Sequence, residues 1–128
     1  MKKLRDHLLC RALELSIEYD RPMQIHTGMG DFEVNLPLCR PAYLMDLLRF
    51  PTFRACRVIL VHTGYPYHRE AAYMANVLPR VWCDLSEGIP FAGNAAFDAH
   101  VRAEWSRIEA DRQKIGRTNA LTLFRLKG

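Results

Sequence analysis

Arg57-Val58-Ile59-Leu60-Val61-His62-Thr63-Gly64 is the stretch whose reading decides the fold. Four consecutive apolar residues, three of them β-branched, suit a strand buried on both faces, and we expect one over 57–63. Gly64-Tyr65-Pro66-Tyr67 then turns the chain. Ala71, Ala72, Met74, Ala75 and Leu78 predict a helix over 68–78 that Pro79 ends, and Val81-Trp82-Cys83-Asp84-Leu85-Ser86 predicts a further strand over 81–86.

The same alternation runs upstream. Leu4, Leu8, Leu9, Ala12, Leu13, Leu15 and Ile17, mostly at three- and four-residue spacing, predict an amphipathic helix over 3–19. It stops at Asp20-Arg21-Pro22, because proline cannot continue it. Met23-Gln24-Ile25-His26-Thr27 predicts a strand over 23–27, followed by a long loop rich in glycine, proline and polar residues. Pro41 opens a helix over 42–49 that Phe50-Pro51 closes.

Three strands separated by helices, with connections of this size, imply right-handed crossovers and a parallel α/β sheet whose strand ends all face one way. Sites in such folds lie at the carboxyl ends of the strands. Beyond residue 91 the character changes: Val101, Trp105, Ile108 and Ile115 predict a helix near 98–115 within a divergent segment, 92–128.

Composition sets the limits. The chain has 128 residues, enough for one core but about half of the roughly 250 usual for a closed eight-stranded α/β barrel. With 49% apolar and 25% charged residues it is expected to fold as a globular protein. The formal charge of +4 is spread along the chain without a dense basic run, so no nucleic-acid partner is expected. No apolar run approaches the roughly 20 residues of a membrane span, and the start resembles no signal peptide, so the cytoplasm is the expected location. Cys10, Cys39, Cys56 and Cys83 form no Cys-x-x-Cys pair and read as reduced, apolar side chains.

Two of the expected strands end in the same triplet, His26-Thr27-Gly28 and His62-Thr63-Gly64, thirty-six residues apart. Taken singly, a histidine at a strand end is more often structural than a ligand. Duplication brings the two readings level, because neighbouring parallel strands would set both imidazoles on one rim as two ligands of an open metal site. Asp31, just past the first triplet, could orient an imidazole or simply serve its turn. Tyr65 could line a pocket or pack its turn; Asp84 and Ser86 fall on one face of the third strand, where satisfied structural polarity is the favoured reading and Ser86 is the better pocket candidate of that pair.

Three blocks in order carry a family resemblance: Pro22-Met23-Gln24-Ile25-His26-Thr27-Gly28-Met29-Gly30-Asp31, Val58-Ile59-Leu60-Val61-His62-Thr63-Gly64-Tyr65-Pro66-Tyr67-His68-Arg69-Glu70-Ala71-Ala72-Tyr73, and Val81-Trp82-Cys83-Asp84-Leu85-Ser86-Glu87-Gly88-Ile89-Pro90-Phe91. Over about residues 8–91 the chain resembles the metal-dependent amidohydrolase-related superfamily, in the branch similar to the amidohydrolase-like domain fused to glutamine synthetase-like proteins. The resemblance implies a partial (β/α)8 TIM-type barrel over 1–91, with His26 and His62 matching metal ligands on the fifth and sixth strands. It also implies a divalent metal, zinc by preference, and hydrolysis of C–N or related bonds in a small-molecule substrate. The family's His-x-His pair would lie upstream of Met1, and its eighth-strand aspartate matches neither Asp98 nor Asp111. The chain is therefore expected to be a fragment with an incomplete site that holds metal weakly. The alternative is a non-catalytic remnant or partner-binding half-barrel, and in either case open sheet edges are expected to self-associate.

Overall fold

The structure is a computed structural model, described here for residues 2–84 and Ser86. Helix α1 (Lys2–Glu18) leads to strand β1 (Met23–His26), and helix α2 (Met45–Arg49) to strand β2 (Val58–Val61). Helix α3 (His68–Val77) and strand β3 (Val81–Cys83) complete the alternation. All three strands are parallel, in the order β1-β2-β3. The expected α/β class and parallel direction are therefore observed, as an open three-stranded parallel sheet among the described residues.

Register explains how the sheet separates its two faces. Met23, Val58 and Val81 lie abreast, as do Ile25, Leu60 and Cys83, and these residues share one face because strand side chains alternate. That face packs against Leu13 of α1, Leu48 of α2, and Ala71 and Met74 of α3. Leu13, Val58, Leu60 and Met74 are completely buried. The opposite face carries Gln24, His26, Ile59, Val61 and Trp82. Helices thus hold one side while the other is left for the site.

The helix–strand joints have specific causes. At the end of α1, Arg21 N–H bonds to Ser16 O and Asp20 N–H to Ile17 O, the paired bonds of a Schellman cap, with Asp20 in the left-handed position (φ 50°) usually given to glycine. Arg57, entering β2, secures this turn by donating to Asp20 O at 2.6 Å and to its carboxylate at 3.0 Å. Arg57 is itself only 8% exposed, so these contacts compensate a buried charge. On the other side, Arg40 bonds to Glu70 and lies over the Tyr67 ring, 5.2 Å from its centroid, tying the loop before α2 to the start of α3.

Boundaries differ by one residue at α1, β1 and α3 and depart further from the sequence expectations at three places. The helix expected over 42–49 begins as a 3-10 turn over Pro41–Leu44 and becomes α-helical at Met45, the tight winding common at helix starts. The strand expected over 57–63 ends at Val61, because His62 and Thr63 both turn left-handed (φ 63° and 54°). The strand expected over 81–86 ends at Cys83: Asp84 still bonds through its N–H to Leu60 O and through its carbonyl to Thr63 N–H, but the latter belongs to the turn in which β2 has already left the extended conformation. Asp84 and Ser86 therefore lie beyond β3 rather than on it. The helix expected near 98–115 and the whole segment 92–128 lie outside the described residues. Among the described residues, no helix is long and apolar enough to cross a membrane.

Replacing Arg57 by Met should cost about 2 kcal/mol, since Asp20 would lose two hydrogen bonds to a charged donor at a strained cap. Urea unfolding of R57M against wild type measures this, with the m-value expected to stay constant.

Candidate metal centre

The two His-Thr-Gly triplets form one interlocked structure at the carboxyl rim of β1 and β2. Thr27 and Thr63 are almost fully buried. Thr27 donates its hydroxyl to Val61 O at 3.0 Å, binding the end of one strand to the other, and Thr63 closes onto His62 O at 2.6 Å. Gly28 (φ 71°) lies directly on the second triplet: an added Cβ would stand 2.2 Å from Tyr65 O and 2.4 Å from the Gly64 carbonyl carbon. The neighbouring Met29 N–H bonds to that same Tyr65 oxygen at 2.6 Å. Gly64 (φ 67°) in turn sits against Pro41, whose Cγ would be 2.7 Å from an added Cβ.

This packing brings His26 and His62 together, with ring centroids 4.9 Å apart and planes at 71°. His26 is exposed and His62 half-buried. Gly30 forms a wall behind His26, since a Cβ there would approach its Nε2 to 2.6 Å. His62 is held from the other side. Its backbone N–H bonds to Asp84 Oδ1 at 2.9 Å, and its Nδ1 lies 3.1 Å from Ser86 Oγ and 3.2 Å from Ser86 O. Asp84 Oδ1 also accepts from Ser86 N–H at 3.0 Å and Ser86 Oγ–H at 2.6 Å, while Asp84 O accepts from Thr63 N–H at 3.0 Å. One residue, Asp84, therefore pins the left-handed His62-Thr63 turn through its carboxylate and its backbone carbonyl.

Of the residues singled out from sequence, the structure places His26, His62 and Ser86 in one cluster. Tyr65 stacks its ring on His68, with centroids 6.1 Å apart, and contributes its carbonyl to Met29. Asp31 is exposed, and its own carbonyl accepts Val34 N–H within a turn. Gly30 and Asp84 are the residues that motif reading undervalued. Gly30 had no signal beyond turn composition, whereas Asp84-Leu85-Ser86 already showed two polar residues at alternate positions beside the expected rim.

Two neutral imidazoles are suitable donors for zinc or a similar divalent ion. Among the described residues, no group of three or more His, Cys, Asp or Glu side chains is arranged to hold a metal. Cys83 is a poor candidate to join them, because burial, aided by the Asp84 charge, pushes its thiol up to about 12 and keeps it neutral. A hollow of about 250 Å³ lies at the opposite end of the sheet, between Leu48, Phe53, Leu78 and Val81, remote from the histidines.

Comparison with known proteins places this rim in context. A family model described as amidohydrolase matches residues 2–108. Protein fluG of Emericella nidulans is 34% identical over 116 residues, which cover 87% of this chain and 13% of that protein. A crystal structure from Lactobacillus casei, described as a candidate metal-dependent hydrolase, superposes with a TM-score of 0.63 at 35% identity, over 74% of this chain and 26% of that one. The chain belongs to the amidohydrolase family. It spans about an eighth of the fluG protein and about a quarter of the Lactobacillus chain.

The two rim glycines should respond differently to substitution. Gly28→Ala drives a methyl into immovable backbone at positive φ and should cost about 3 kcal/mol or more. Gly30→Ala meets only the ends of the His26 and Val34 side chains, so the fold should survive while the His26 imidazole is displaced. Thermal unfolding of both variants, with the imidazole NMR signals of G30A, checks the contrast.

Proposed function

We propose that this chain is the part of a metal-dependent hydrolase that supplies His26 and His62 as two ligands to a divalent cation, zinc by preference. The substrate class would be small molecules with a C–N or related bond to hydrolyse. The observation that carries the reading is the meeting of the two imidazoles, 4.9 Å apart, where two parallel strands end. The metal-dependent description of the Lactobacillus relative supports it.

A cation bound at this rim would supply Lewis acidity and a readily ionised water. The chain's own residues do the positioning. Gly28 sets how closely the two loops approach, Gly30 limits the swing of His26, and Asp84 with Ser86 holds His62. Remaining ligands would come from outside the described residues, and two imidazoles alone should bind the ion weakly. Titration of the chain with zinc by calorimetry is expected to show weak one-to-one binding that disappears in both H26A and H62A. Equal binding by wild type and both variants would refute the assignment.

A second reading concerns association. Strand β1 pairs on one side only among the described residues, and the segments that flank it in sequence expose large apolar side chains: Leu4 and Leu8 on α1, Phe32 and Leu38 in the following loop. An unpaired strand edge and exposed apolar side chains each favour contact with another chain. Sedimentation should find the chain larger than a monomer and L4K/L8K shifted toward monomer. A monomer at high concentration would exclude this reading.

A further inference from the structure

We propose that the hollow at the amino ends of β2 and β3 binds a small organic anion, a carboxylate carried on an apolar body. This end of the sheet lies away from the histidines, so the site stands apart from the metal reading.

Chain topology builds the place. In a parallel sheet each helix-to-strand turn comes to the amino end, so the turns after α2 and α3 lie side by side where Val58 pairs with Val81. Backbone bonds hold both turns. In the first, Phe53 N–H donates to Phe50 O at 2.9 Å and Arg54 N–H to the same oxygen at 3.0 Å. In the second, Val81 N–H donates to Leu78 O at 3.1 Å, while Arg80 O accepts Val58 N–H at 2.9 Å and joins this turn to β2. The hollow of about 250 Å³ lies against both turns, with the buried side chains of Leu48, Phe53 and Val81 among its walls. At the packing density of protein interiors that volume takes roughly ten non-hydrogen atoms.

Charge decides what kind of molecule fits. Arg49, Arg54 and Arg80 also line the hollow, and no acidic residue does. All three are exposed, and among the described residues their guanidiniums make no ion pair or hydrogen bond. Arg49 stands in the last turn of α2, where a cation already complements the helix carbonyls, whereas Arg54 and Arg80 stand in the turns beyond the helix ends. A guanidinium presents paired N–H donors that match a carboxylate, and beside apolar surface its attraction is screened less than in open water. An apolar body would fill the hollow while its carboxylate met the arginines. Either part alone would leave half of the lining unused.

Titration of the metal-free full chain with octanoate, followed by backbone ¹H–¹⁵N spectra, tests this. Saturable shifts are expected at the amides of Arg54, Arg80 and Val81, with His26 and His62 unmoved. 1-Octanol, the same body without the charge, and inorganic phosphate, a charge without the body, should each bind at least about tenfold more weakly. R54M/R80M, which keeps the apolar stems, should lower octanoate affinity about tenfold or more. Leu78→Trp, which fills the hollow, should block octanoate with the arginines in place. Lys3→Met, which removes one charge at the far end of α1, should leave binding unchanged. Absence of saturable shifts, shifts centred on the histidines, octanol or phosphate binding as tightly as octanoate, or equal losses in K3M and R54M/R80M would overturn the proposal.

Discussion

The site depends on two backbones approaching more closely than any side chain permits. Gly28 lies on the Gly64–Tyr65 peptide at a distance where a Cβ would stand 2.2 Å from a carbonyl oxygen, and Met29 N–H bonds to that oxygen. Carbonyl and amide hydrogen can meet only because nothing stands between them. The loops after β1 and β2 are consequently fixed to each other, and the histidines just before the glycines are fixed with them. The second triplet pays for this with two left-handed non-glycine residues, His62 and Thr63, of the kind that costs of order 1–3 kcal/mol each. Asp84 offsets that strain by taking the His62 amide on its side chain and the Thr63 amide on its carbonyl.

This strained rim is tolerable because stability is provided elsewhere. The alternation of β1, β2 and β3 sends Met23, Ile25, Val58, Leu60, Val81 and Cys83 into the helices, while Gln24, His26, Val61 and Trp82 face the other way. Completely buried side chains such as Leu13, Leu60 and Met74 belong to the helix-covered side. Changes to rim chemistry therefore need not disturb the packing that holds the sheet, the usual advantage of placing a site at the carboxyl ends of parallel strands.

Membership of the amidohydrolase family and the geometry of the rim are consistent with each other without being the same statement. The family relationship concerns the whole course of residues 2–108. The rim concerns a few atoms: two imidazoles, one held through Ser86 and Asp84 and the other backed by glycine. That asymmetry separates a tethered imidazole from a less constrained one within a single His-Thr-Gly pattern.

Much of this was legible in sequence because it depends on local chemistry. The apolar run Val58-Ile59-Leu60-Val61 determined a buried strand, prolines marked the helix ends, and the repeated triplet pointed to the rim. What the sequence by itself determined was the strand–helix alternation, the parallel sheet and two histidines at equivalent strand ends. Only the tertiary structure decided that β2 stops before His62, that Gly30 backs His26, and that Asp84 carries the turn while Ser86 meets the imidazole. The reason is distance along the chain. Periodicity records how a residue relates to its near neighbours, whereas the contact between Asp84 and His62 spans a helix and a strand and exists only once the sheet has brought their ends together.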